Sequence, residues 1–272
     1  MKKLSKKQYL ITLSGVIVLF LGVLFYISQP YIKNWRSQYS SKLESTADLN
    51  PDKQKALLQY READFLSDHE SLSLKIGKLY DDTGKPELAE KYFSKVKSEN
   101  YLNDLTEHYL KNGNIEKAKS IVQKSNDEYY NTLILFINDP KEAAQKNKDT
   151  QDSKTKELKQ YIETFINNPQ KEYNDTAIAL YLYKNGYTNL ALQKLEPYLN
   201  KDYKDAFVLI GDIYYKNGLY NISATAYEKS IALDKYDLEA YKKLGEVYQK
   251  LENKEKLAEI SVIIDRLEIN PK

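Results

Sequence analysis

Two hydrophobic patterns divide this chain. From Tyr9 to Ile27 the sequence runs 19 positions without a charge and is dense in Leu, Ile, Val and Phe. After Asn50 the pattern changes, and apolar residues return every three or four positions, as in Ile76, Leu79 and Tyr80 or Leu244, Val247 and Tyr248. That spacing places them on one face of a helix turning every 3.6 residues. Strand-like alternation bounded by turn pairs is missing, so the expected class is all-α. Asn50-Pro51 supplies an N-cap and a proline at the first helical position, where the helices should begin.

The uncharged run is long enough to span a bilayer, since a helix rising about 1.5 Å per residue needs roughly 20 residues for a hydrocarbon core of about 30 Å. A cleaved signal peptide has a shorter apolar region ending in small residues, whereas this one ends in Tyr26-Ile27-Ser28-Gln29-Pro30. An uncleaved transmembrane anchor over residues 9–28 is therefore expected. A basic tail (1–8) precedes it and a Ser/Thr-rich juxtamembrane linker (29–50) follows. Tyr26, Tyr31 and Trp35 would sit at the far interface. The lysines of the tail favour a cytoplasmic N-terminus and an extracytoplasmic remainder, a single-pass protein of the cell membrane.

Charge sharpens this picture. Residues 1–36 carry Lys2, Lys3, Lys6, Lys7, Lys33 and Arg36 and no acid, so they hold +6 of an overall +2, leaving −4 for the rest. A mildly acidic body with interspersed signs offers no basic face for a phosphate backbone, which argues against nucleic acid as a partner. There is no cysteine, hence no disulfide framework, thiolate metal site or cysteine nucleophile. The richness in Lys, Asn, Tyr and Ile is that of an AT-rich bacterial genome.

Internal repetition is clearest near the C-terminus. Phe207-x-x-Ile210-Gly211-x-x-Tyr214-x-x-x-Gly218 recurs as Tyr241-x-x-Leu244-Gly245-x-x-Tyr248, a period of 34 residues. Ser223, Tyr227 and Ser230 follow on the next helix, and Leu257, Ser261 and Ile264 take their places in the last copy. Upstream, Ile76-Gly77-x-x-Tyr80-x-x-x-Gly84 continues with Ala89, Phe93 and Val96. Tyr109-x-x-x-Gly113 continues with Ala118, and Leu182-x-x-x-Gly186 with Ala191 and Leu195. Lys-Asn-Gly closes the first helix at 111–113, 184–186 and 216–218, where glycine can take the left-handed conformation that ends a helix.

With these residues the chain resembles the tetratricopeptide repeat (TPR) family. The resemblance implies an α-solenoid of helix-turn-helix repeats that buries its faces only by stacking. Repeats are expected over 51–138 and over 157–272 with a terminal capping helix, separated by a polar interruption at 139–156. The small residues Gly77, Gly211 and Gly245 should let paired helices approach closely. The resemblance also implies a protein or peptide partner held on the inner face, where alignment places Tyr183, Asp212, Tyr215, Lys216, Lys242, Glu246 and Gln249. Glu246 stands where the family's carboxylate clamp needs an amide, so a chaperone-tail receptor does not fit.

Candidate chemistry is sparse. Asp68-His69-Glu70 and Glu107-His108 join histidine to carboxylates, but sequence neighbours on a helix point in different directions. Asp81-Asp82-Thr83-Gly84 lacks the spaced oxygens of a calcium loop and reads as a turn. No phosphate loop or nucleophile elbow is present. The expectation is a membrane-anchored scaffold that works by binding, without enzymatic activity, cofactor or metal, in assembly of an envelope, secretion or surface-appendage complex. An organelle import receptor with its repeats in the cytosol, and a helical-toroid enzyme, are the rival readings. Homo-oligomers formed by end-to-end stacking are also compatible with the sequence.

Overall fold

The computed structural model describes residues 6–67, 69–146 and 150–269, without the side chains of residues 6–20 and 22. Among the described residues every regular element is helical. The chain divides into two compact units, Met1–Tyr101 and Leu102–Lys272.

The first unit contains α1 (Lys6–Asp48), α2 (Lys53–Leu66), α3 (Glu70–Asp82) and α4 (Pro86–Phe93). Most of the side chains of the expected anchor at 9–28 lie outside the described residues, and among the described residues no helix is long and apolar enough to cross a membrane. Residues 29–48, expected to form a linker, continue α1 instead. The serines and threonines there do not break the helix, because Ser45 and Thr46 donate back to the Lys42 carbonyl. Ser40 and Ala47 are buried, small enough to let α1 lie against α2, and the Ser40 hydroxyl reaches the Ala63 carbonyl at 3.0 Å. The end of α1 therefore acts as the first helix of a repeat.

Local signals explain where the following helices begin. Asp52 accepts from the backbone N–H groups of Gln54 and Lys55 and caps α2. Pro86 occupies the first turn of α4. Between α3 and α4, Gly77 faces the Phe93 ring so closely that a Cβ would collide with it. Leu72 and Ile76 on the same helix are fully buried, each contributing about 1.5–3 kcal/mol by leaving water.

The second unit takes in α5 (Glu99–Lys111), apart from its first residues, α6 (Ile115–Ser125), α7 (Glu128–Asn138), α8 (Pro140–Gln145) and α9 (Ser153–Glu163). It continues with α10 (Lys171–Lys184), α11 (Thr188–Leu195), a 3₁₀ turn at Glu196–Tyr198, α12 (Lys204–Lys216), α13 (Tyr220–Leu233), α14 (Leu238–Lys250) and α15 (Lys254–Ile269). The segment 139–156, read as a polar interruption, holds α8 and the start of α9, both capped by aspartates: Asp139 accepts from Lys141 and Glu142, and Asp152 from Thr155. Ala143 and Thr150 within it are buried.

Helix ends follow the glycine signal. Gly84, Gly113, Gly186 and Gly218 have φ between 72° and 83°, and in the last repeat Glu252 takes the same left-handed role at φ 55°. Gly211 meets the Tyr227 ring as Gly77 meets Phe93, whereas at Gly245 the nearest atom to a Cβ would be Ile260 Cγ2 at 3.7 Å. The expected close approach therefore occurs at Gly77 and Gly211 and not at Gly245, because aliphatic side chains replace the facing ring. Ile260 is the one buried residue of α15.

A fold-back inside the second unit was not legible in the repeat pattern. Asn189 of α11 donates to the Lys111 carbonyl at the end of α5, and Lys194 to the Ile137 carbonyl of α7, both at 2.9 Å. Phe136, Tyr161, Phe165 and Tyr181 then pack edge to face and tilted between α7, α9 and α10.

Candidate binding surfaces

Helices α10, α12 and α14 carry the residues assigned to the inner face. Asp212 is at the centre of a network: Tyr227 Oη donates to its Oδ1 at 2.5 Å, and Lys243 Nζ lies 2.8 Å from both carboxylate oxygens. Burial pushes the Tyr227 phenol up, reinforced by the hydrogen bond to Asp212 and the charges of Asp212 and Glu246. Tyr183 is half-buried, and burial followed by the charge of Asp212 pushes its phenol up as well. Tyr183, Asp212 and Glu246 thus share one electrostatic neighbourhood.

The remaining residues are placed differently. Tyr215 stacks edge-on against Tyr220 at 5.6 Å and packs on the core between α13 and α14. Lys242 pairs with Glu268 of α15 at 2.7 Å, while its neighbour Lys243 makes the contact with Asp212. Lys216, Glu246 and Gln249 are exposed. Sequence reasoning missed Lys243 because a one-residue step on a helix turns a side chain by about 100°.

A second surface was missed altogether. A polar cavity of about 250 Å³ is lined by Glu107 of α5, Tyr129 and Tyr130 of α7, and Lys154 and Glu157 of α9. Tyr181 of α10 and the following turn, through Asn185 and Tyr187, complete its wall. Tyr130 Oη donates to Glu107 Oε2 at 3.2 Å, and Lys111 holds the other oxygen at 2.6 Å. Lys154 Nζ lies 5.7 Å from the centre of the Tyr129 ring. Burial pushes the phenols of Tyr130, Tyr181 and Tyr187 well up, and neighbouring acids add to it: Glu107 at Tyr130 and Tyr187, Glu157 at Tyr181. All three therefore stay protonated and keep a hydroxyl to donate. The only sequence signal was the abundance of tyrosine, which the repeat's packing positions also explain.

The histidine segments form no joint site. Glu70 accepts from the backbone N–H groups of Lys97 and Ser98 at 3.0 and 2.8 Å, just before α5, and Asp68 lies outside the described residues. Glu107 turns to Tyr130 while His108 turns to Asn112 at 3.2 Å. Among the described residues no group of three His, Cys, Asp or Glu converges as metal ligands would.

Against known proteins, no curated sequence matches this chain. Among solved structures, the MamA protein aligns over 90% of this chain and 98% of its own at 13% identity and a TM-score of 0.35. A monomeric mutant of IFIT1 with m7Gppp-AAAA aligns over 85% of this chain and 63% of its own, at 15% identity and a TM-score of 0.38. The human IFIT1 dimer with m7Gppp-AAAA aligns over 90% and 65%, at 15% identity and a TM-score of 0.31. The chain thus spans less than two thirds of the IFIT1 chains, and superpositions this loose bear on no functional question. The family model described as "Tetratricopeptide repeat" matches residues 71–100 and 204–237. These segments coincide with the helix pairs α3–α4 and α12–α13 and their glycine-to-ring contacts, and so the chain carries tetratricopeptide repeats.

Proposed function

We propose that this chain is a membrane-anchored adaptor whose repeats hold a protein or peptide partner, in assembly of a bacterial envelope, secretion or surface-appendage complex. Residues 9–28 would anchor it, with the N-terminus cytoplasmic and the repeats outside. The observation that carries the reading is the repeat architecture itself, which presents long side chains on a rigid helical frame and has no need of a cofactor to do so. Binding by such a surface uses exposed polar anchors around half-buried aromatics. Glu246, Gln249 and Lys216 with Tyr183 have that character. Rim charges of this kind set partner choice and encounter rate more than raw affinity.

The test is co-purification of the tagged full-length chain from crosslinked native membranes, beside a Glu246→Lys, Gln249→Ala variant. These two side chains are exposed, so the fold is retained. A partner captured by the parent and lost from the variant supports the adaptor. Capture of the same proteins by both, or of none by either, sinks the inner-face reading. Orientation is read separately. The chain has no cysteine, so Lys235→Cys at an exposed site gives one thiol, which an impermeant maleimide labels on intact cells only if the repeats lie outside.

A further inference from the structure

We infer that the tyrosine-lined cavity of the second unit is a receptor for a single cationic head group, best matched by the guanidinium of an arginine side chain on a protein partner. Three observations converge on this.

The first is size. At about 250 Å³ the cavity falls below the roughly 300–1,000 Å³ of sites that enclose a whole small-molecule ligand, but it admits one side-chain terminus.

The second is charge. The charged groups of its wall are Glu107, Glu157 and Lys154. Glu107 is already held by Lys111 and Tyr130, whereas Glu157 pairs with no cation among the described residues. Glu157 is therefore the carboxylate an incoming cation would find.

The third is the wall chemistry. The Tyr129 ring already has an ammonium 5.7 Å from its centre, which shows that its face draws positive charge. Asn185 and the tyrosine hydroxyls add acceptors around it. A guanidinium, planar and weakly hydrated with five donors, satisfies a carboxylate and several oxygens at once while stacking on a ring. An ammonium fulfils only part of that pattern.

The inference rests on the protein-binding reading for the identity of the ligand, but its test does not. The full-length chain in non-ionic micelles is titrated with N-acetyl-arginine amide and, in parallel, with its neutral isostere N-acetyl-citrulline amide, followed by ligand-observed NMR. Saturable binding of the arginine compound is expected, with a Kd on the order of 1 mM, and none of the citrulline compound. Glu157→Gln should weaken it about tenfold, the scale of one charge-assisted hydrogen bond. Lys154→Met should strengthen it severalfold, because an internal competitor for the Tyr129 face is gone; a damaged fold cannot mimic that gain. Equal binding of the neutral isostere, no saturable binding, or indifference to Glu157→Gln overturns the proposal. If arginine amide fails while a partner still depends on Glu246 and Gln249, the cavity reading falls and the adaptor stands. If arginine amide binds as expected and no partner is captured, the adaptor falls and the cavity remains a cation site.

Discussion

Lys243 of α14 reaches back one repeat to Asp212 of α12, its Nζ 2.8 Å from both carboxylate oxygens. In the first unit Lys75 of α3 holds Asp48 of α1 in the same manner, at 2.7 and 2.9 Å. In each case a tyrosine of the intervening helix donates to the same aspartate at 2.5 Å: Tyr227 to Asp212 and Tyr60 to Asp48. The trio links the first helix of one repeat, its second helix and the first helix of the next. Its presence at Asp48 identifies the end of α1 as a repeat helix.

Removing the aspartate should cost more than removing the lysine. Asp212→Ala strands both the Tyr227 hydroxyl and Lys243, and we expect a loss of about 1–2 kcal/mol. Lys243→Met removes a partly exposed ion pair worth about 0.5 kcal/mol. Urea titrations of the two variants and of the double variant measure the coupling; equal losses from both single changes would contradict the shared-acceptor geometry.

Two glycines at the same position of consecutive repeats should respond in opposite ways. A Cβ at Gly211 would lie 2.6 Å from the Tyr227 ring, so Gly211→Ala is expected to cost about 1–3 kcal/mol through overpacking. Gly245 has nothing within 3.7 Å, and Gly245→Ala should gain up to about 1 kcal/mol of helix propensity. Thermal melts of the pair read the sign directly.

The left-handed residue of the last turn is a place to gain stability. Glu252 sits at φ 55° where the earlier repeats have glycine. Glu252→Gly should stabilise by about 1 kcal/mol, relieving the steric cost of a side chain in that conformation. A lower unfolding midpoint in denaturant would show that the Glu252 side chain contributes more than its backbone costs.

Acid should weaken the second unit through Asp175, which is buried. Burial opposes its charge, but hydrogen bonds from Lys171, Tyr198 and Lys194 outweigh this and hold the carboxyl below its ordinary value. A lowered folded-state pKa contributes stability that is complete above the ordinary value of 3.8 and disappears as the pH falls through the folded value. Asp175→Asn should cost about 3 kcal/mol at neutral pH, by removing the charge that faces Lys194 and one of the two oxygens that accept from Lys171, Tyr198 and Lys194. It should also flatten the acid limb below pH 3.8. Denaturant midpoints measured across that range test both parts, and an unchanged acid limb would place the acid-sensitive group elsewhere.

What the sequence by itself determined is local and periodic. The three-and-four spacing specified helices, Lys-Asn-Gly specified their left-handed ends at 113, 186 and 218, and Ser223, Tyr227 and Ser230 marked a buried stripe that the structure covers completely or nearly so. These features depend on neighbours within a turn or on a partner one helix away, so a short window of residues encodes them. The tertiary structure alone decided the rest. Residues 29–48 were polar enough to read as a linker, yet the small residues Ser40 and Ala47 let them pack as a helix. The choice of Lys243 over Lys242 turned on helical phase between repeats. The tyrosine cavity brings together rings and carboxylates of α5, α7, α9 and α10 that no local pattern connects, in a unit where Asn189 and Lys194 tie α11 to carbonyls 78 and 57 residues earlier. Contacts at such separations depend on how each repeat is rotated on the last, and those small rotations are set by side-chain packing summed over many interfaces.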